Sequence, residues 1–156
     1  MNRIEQVRQI VDETLRQQSN EEERRCGFVH LYGVAQACAL LALRRGLDPE
    51  LGMIAGMLHD LCSYKTLDTT DHGPRGAVLA RDILEDLGSF EPNDVDIICH
   101  AIEHHSDKAG VHGPFDELLK DADVLAHHLY NTLFPVIDKE KDRLPAVLAE
   151  LGTRRT

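Results

Sequence analysis

Apolar residues in this chain recur at three- and four-residue steps almost from end to end, and nowhere alternate at period two for long enough to make a strand. Helix packed on helix is then the way left to bury a core. Ile4, Val7, Ile10, Val11 and Leu15 mark a first helix within 1–18. Asn20 followed by Glu21, Glu22 and Glu23 has the order of an N-cap with an acid at the third position, and opens a segment that runs to Arg45 and stops at Gly46. Asp48-Pro49 restarts a helix through Leu51, Ile54, Ala55 and Leu58, cap first and proline next. Further helices are expected from Gly73-Pro74 to just before Gly88, over 93–106, and from Gly113-Pro114 through Leu129. A short helix after Pro145 is expected to be peripheral, and the charged run 138–143 to be a solvated turn. The expected fold is all-α, a single helical bundle over 1–156.

A chain of 156 residues can bury roughly 68–70% of its unfolded surface, so neither a disulfide nor a structural metal is needed merely to fold. Cys26, Cys38, Cys62 and Cys99 form no CxxC pair and are expected to be reduced and mostly in the core. No signal peptide is read at the N-terminus, so a cytoplasmic location is expected. The longest apolar run, 37–43, falls far short of the roughly 20 residues of a membrane span. Seventeen basic residues against 27 acidic ones give a net charge of −10, and the basic residues come only in short pairs such as Arg24–Arg25, Arg44–Arg45 and Arg154–Arg155. A nucleic-acid polymer needs a cationic track, so none is expected as a partner. A small phosphorylated molecule stays open, because a bound metal adds positive charge that composition hides.

Nine histidines stand out in a chain with three Tyr, four Phe and no Trp. The dipeptide His59-Asp60 means little alone, since a His-Asp pair is expected here by chance. Its setting carries more weight: it closes the wholly apolar stretch 52–58, where two polar side chains are costly without strong partners. Neighbours on a helix diverge by about 100°, so both can approach one point only beside a helix terminus or around a sizeable ion. His30 shares a stripe with Val34, Ala37, Cys38 and Leu41; Asp123 shares one with Leu119, Ala126 and Tyr130. His105 aligns with Ile98 and Ile102, His104 with Ile97 and His100, and His72 precedes a helix start. Each imidazole alone reads equally as a hydrogen-bonded core residue; one shared metal centre accounts for them together. His112, His127 and His128 are expected in surface or packing roles, His100 is left open, and Lys120 is expected to pair with Asp116 four residues earlier.

In that order, His30, His59-Asp60 and Asp123 resemble the H…HD…D signature of the HD-domain superfamily, over about 26–130. His72 and the His104-His105 pair are similar to the extra ligands of its binuclear members. The stretches Phe28-Val-His-Leu-Tyr-Gly-Val34, Ala55-Gly-Met-Leu-His-Asp-Leu61, His72-Gly-Pro-Arg-Gly-Ala77 and Lys120-Asp-Ala-Asp123 agree. Among the branches, the small stand-alone bacterial diadenosine-tetraphosphate hydrolases look nearest, through His72-Gly-Pro-Arg-Gly-Ala77 and His105-Ser106.

The resemblance implies a helical bundle with a metal site between helices and a metal-dependent phosphohydrolase acting on a nucleotide or other small phosphoester. It implies His30, His59, Asp60 and Asp123 around one divalent transition metal (Fe, Mn, Co, Ni or Zn). Asp60 would bridge to a second held by His72 and His105, with His104 joining. Two ions roughly 3.5–4 Å apart can clamp a phosphoryl group for in-line attack. His59 and Asp60 are then the catalytic core, with Lys65 beside them, and Lys65 and Arg75 the candidate contacts to phosphate oxygens. Two further readings stand beside this one: a di-iron oxygenase on the same ligands, which some relatives are, and a non-catalytic metal- or ligand-binding module. A homodimer is one open arrangement.

Overall fold

A computed structural model describes residues 1–152, and the Arg154–Arg155 pair lies outside the described residues. Eight α-helices follow in order: α1 (Arg3–Arg16), α2 (Glu21–Arg45), α3 (Pro49–Leu58), α4 (Leu61–Thr66), α5 (His72–Leu87), α6 (Pro92–His104), α7 (Pro114–Tyr130) and α8 (Arg143–Gly152), with a 3₁₀ turn at Asp138–Glu140. The expected all-α class is what forms, and the punctuation acts as its chemistry requires. The Asn20 side chain accepts from the amides of Glu22 and Glu23, both at 3.1 Å, and Asp48 accepts from Glu50 at 2.8 Å. Gly46 and Gly88 end α2 and α5 with left-handed φ of 68° and 62°.

The long α2 lies against α3 and α7, α5 pairs with α6, and α1 covers the α3 side. All share one core, with Val7, Val11 and Leu15 meeting Leu31, Val34, Leu41, Ile54, Met57, Leu84, Ile98, Ile102 and Leu119, each 0% exposed. A buried aliphatic side chain of this kind contributes about 1.5–3 kcal/mol, so the framework stands on its apolar contacts. The α2 helix is long and apolar enough to cross a membrane by length and composition, and its buried face against α3 and α7 accounts for part of that character.

Close backbone approach sets the site. A Cβ on Gly56 would lie 2.7 Å from Ala35 Cα, so only glycine lets α3 cross α2 this tightly, with His59 following three residues on. A Cβ on Gly73 would lie 2.5 Å from the Glu103 carbonyl oxygen, which brings the start of α5, and His72, against the end of α6.

Two expectations fail at the chain's later end. The run 138–143 is not simply solvated: Glu140 is buried, and Arg143 reaches Glu117 at 2.7 Å and Asp121 at 2.9 Å. Nor is α8 merely peripheral, because those ion pairs seat it so that Leu144 and Val147 are buried.

Candidate metal centre

The α3 helix ends at Leu58. His59 still donates its amide to the Ala55 carbonyl at 3.0 Å, but Asp60 takes φ −114° and ψ 8°, near the bridge region, before α4 begins. This break frees two adjacent side chains from diverging, and the Nε2 of His59 and Oδ2 of Asp60 come within 3.4 Å. His30 from α2 joins them, its Nε2 at 3.1 Å from His59 Nε2 and 3.4 Å from Asp60 Oδ2. From α7, Asp123 Oδ1 lies 3.4 Å from His30 Nε2 and 3.7 Å from His59 Nε2. One turn further along α7, His127 Nε2 lies 3.6 Å from the same Asp123 oxygen.

The other oxygen of Asp60 faces a second group. Its Oδ1 is 3.3 Å from His105 Nε2 and 3.8 Å from His72 Nε2. His105 occupies the C-cap of α6, and His72 opens α5 directly after Asp71, whose left-handed φ of 46° turns the chain toward Asp60. One carboxylate thus spans two clusters of imidazole nitrogen.

The ring orientations are fixed from behind. Nδ1 of His59, His105 and His72 donates to the carbonyls of Gly56 (2.8 Å), Ile102 (2.7 Å) and Thr69 (3.1 Å). Nδ1 of His127 is held by the Glu140 carboxylate at 2.8 Å. A ring that donates through Nδ1 presents a lone pair at Nε2, the arrangement of a metal-ligating histidine with its supporting partner. Asp123 is braced likewise: Lys108 Nζ grips its Oδ2 at 2.5 Å and donates to the His105 carbonyl at 2.7 Å.

What then faces inward is a set of acceptors with nothing to accept. Asp60 Oδ1 and Asp123 Oδ1 are buried without a hydrogen-bond partner, a costly condition unless a cation completes it. Donors at ~2.0–2.2 Å from one cation sit about 3–3.6 Å apart, and the separations within each group run from that range to slightly beyond it. Three sets have donor atoms all within 4.8 Å of one another: His30, His59 and Asp60; His30, Asp123 and His127; and Asp60, His72 and His105. Nitrogen and carboxylate donors together suit a divalent transition metal, so the residues fit the ion.

Electrostatics agree. Burial opposes ionisation of Asp60 and Asp123, yet His59 beside Asp60, and Lys108 with His59 beside Asp123, hold both carboxyls well below the ordinary range. Burial works against an imidazolium at His59 too, but without a metal the two carboxylates override it and push that group up to about 10, so a cation would displace the proton from Nε2 on binding. Burial instead pulls His30 and His105 down, keeping them neutral and able to ligate. A polar cavity of about 310 Å³, lined by Asn20, Ser63, Tyr64, Asp60 and His72, leads to this centre.

The structure therefore brings together His30, His59, Asp60, His72, His105 and Asp123. It does not bring His104. That ring turns away from its neighbour, donates Nδ1 to Asp116 at 2.6 Å and stacks on His112 at 4.1 Å between centroids. Lys65 is exposed on α4 and does not line the polar cavity. Arg75 pairs with Asp68 at 2.6 Å and with the Thr70 carbonyl at 3.0 Å, committed to the preceding loop instead of the centre. Lys120 is fully buried and bonds Glu117, His112 and the Gly110 carbonyl; its expected partner Asp116 is taken by His104. Sequence reasoning missed His127, whose signal was its place four residues after Asp123, and Lys108, which carried none.

The fold and site together define an α-helical domain whose helix ends and faces deliver clustered His and Asp donors that could hold a metal. Residues 27–127 match the family described as HD domain, and the chain belongs to that family. HD domains bind divalent metals, and the family is mostly metal-dependent hydrolases. Searches of curated proteins and of solved structures returned no significant match.

Proposed function

We propose that this protein is a metal-dependent phosphohydrolase that cleaves a phosphoester or phosphoanhydride of a small phosphorylated metabolite, nucleotides among the candidates. The observation that carries this is Asp60, whose two oxygens face separate groups of inward-turned imidazole nitrogen. His30, His59, Asp60 and Asp123, with His127, would hold one divalent cation, and Asp60, His72 and His105 a second. Such ions supply Lewis-acid charge to phosphoryl oxygens and make water nucleophilic near neutral pH.

The chain's own residues do the positioning. Gly56, Thr69 and Ile102 fix the tautomers of His59, His72 and His105 through their carbonyls, and Lys108 turns Asp123 so that Oδ1 points inward. A centre whose donors are mainly imidazoles carries less negative charge than an all-carboxylate cage. That favours an anionic substrate on a protein of net charge −10. The resemblance of 72–77 and 105–106 to the diadenosine-tetraphosphate hydrolases keeps dinucleotides in the substrate panel.

The test is protein purified without chelator, analysed for Fe, Mn, Co, Ni and Zn, and assayed for phosphate release from nucleotides and simple phosphoesters without oxygen. Asp60→Ala is expected to lose bound metal and at least about 1,000-fold in rate while its helical circular dichroism persists. Oxygen consumption by the iron form without phosphate release would transfer the centre to oxidative chemistry. Metal binding with no turnover of any panel compound would leave a binding module.

A further inference from the structure

A second, larger cavity of about 720 Å³, within the size range of small-molecule sites, is lined in part by His30 and His127. Its walls are chiefly aliphatic, from Ala37 and Leu40 on α2, Leu125 and Leu129 on α7, and Ile137 and Leu144 beyond it. Among the described residues no Lys or Arg lines it, and the one acid among them, Glu140, is already bonded to His127. Part of the space exists because Gly33 has no side chain: a Cβ there would meet nothing nearer than Ala126 Cβ at 3.9 Å. Tyr64 borders this cavity and the polar one, and the ligands His30 and His127 form part of its wall. Around it Leu129, Phe134 and Ile137 stay 61%, 59% and 49% exposed.

A partner for this space has to be apolar where it touches the walls and anionic where it reaches the metal ligands. Further phosphates along a dinucleotide chain would find no Lys or Arg among the described lining residues, Arg25 standing at the rim where Tyr130 and Cys26 engage it. A nucleobase would bring several polar edges to a wall that is mainly aliphatic, where Gln36, Asn131, His128 and the Tyr64 and Tyr130 hydroxyls are the polar groups that could meet them. We infer that the cavity receives a flexible hydrocarbon chain, so that the substrate is an amphiphilic alkyl or isoprenoid-type phosphoester with its phosphate at the His/Asp centre. This rests on the phosphohydrolase reading of that centre. In the reaction, water oxygen bonds to phosphorus as the phosphorus–oxygen ester bond breaks. The leaving alkoxide takes a proton, and the products are the alcohol and inorganic phosphate. A second copy of the chain is the competing occupant of the apolar rim, but it would not account for a cavity whose wall includes His30 and His127.

The experiment uses metal-loaded protein and two non-hydrolysable probes, ethylphosphonate and octylphosphonate, titrated by calorimetry. Each buried methylene is worth about fourfold in affinity, and octylphosphonate is expected to bind at least about 100-fold tighter. Gly33→Leu, a helix-interior change that favours the helix, places a side chain in the space. It should cut that ratio below about tenfold while metal content and circular dichroism match the parent. Equal affinities for the two probes, a ratio untouched by Gly33→Leu, or tight adenosine monophosphate binding that Gly33→Leu abolishes would each overturn the assignment. So would a dimer whose dissociation by Leu133→Glu leaves no chain-length dependence. Chain-length-dependent binding without hydrolysis of octyl phosphate would sustain the cavity and sink the hydrolase. Hydrolysis of short phosphates with no chain-length dependence would do the reverse.

Discussion

Two clusters of histidine and acid lie close together, and they are built on opposite rules. Around Asp60 and Asp123, ring nitrogens and carboxylate oxygens turn toward a common interior with buried acceptors left unpaired. Around Gly110, His104, His112, Asp116, Glu117, Lys120, Asp121 and Arg143 form a knot in which positive groups meet negative ones. Glu117 alone receives Lys120 at 2.9 Å, Arg143 at 2.7 Å and the His112 amide at 3.1 Å. The second cluster is complete as protein. The first holds buried acceptors that a cation would complete. Composition cannot tell them apart, because both are rich in the same residue types; satisfaction of polar atoms can.

Lys108 belongs to both clusters. Its carbonyl accepts from Arg143 Nε at 3.0 Å, while its ammonium is the sole lysine contact of Asp123 among the described residues. Lys108→Met should give the largest stability effect, because removing one partner of a buried pair typically costs about 3–5 kcal/mol. The loss is expected in metal-free protein, measured by denaturant melting, and most of it should return on adding manganese, which supplies charge at the same carboxylate. An equal loss with and without metal would mean that Lys108 serves the knot alone and that Asp123 faces no ion.

Helix punctuation was readable because it is local: Asn20, Gly46, Asp48-Pro49 and Gly88 act through their own side chains or φ angles. The α4 helix was not, since its six residues start at the break created by Asp60 and bury only Leu61 and Cys62. His30, His59, Asp60 and Asp123 were readable as polar residues on otherwise apolar stretches. His104 and His105 were not separable, being neighbours at a helix end, where a small change in backbone direction sends one ring to each cluster. His127 was missed because it lies on a partly exposed face and gains its role only when Glu140 folds over from a distant turn. Lys108 is the hardest case: buried lysines are rare, and nothing local marks the one whose partner lies on another helix.

The knot's own signature is acid sensitivity. Burial raises the cost of ionising Glu117, but Lys120 and Arg143 more than offset it and lower its carboxyl from 4.5 to about 2. A depressed folded value means stability that is fully present above the unfolded value and lost as pH falls through the window from about 4.5 to about 2. Glu117→Gln should therefore cost about 3 kcal/mol at pH 6, with the difference from wild type shrinking across that window and metal content unchanged. A constant difference down to pH 2 would show that Glu117 acts by packing, and a loss of metal would erase the boundary between the clusters.

The smallest expected effect is the most direct check on that boundary. His104→Ala removes one hydrogen bond and one ring stack, leaving an Asp116 oxygen unpaired, for about 1–2 kcal/mol. The bound metal per chain should not change. His105→Ala, one residue further, removes a nitrogen that faces Asp60 Oδ1 and should lower metal occupancy and phosphate release together. The pair is informative because both changes delete the same side chain at the same helix end, so general disturbance of α6 would affect metal equally. Equal metal loss in the two variants would mean that the end of α6, and not the direction of its rings, governs the centre.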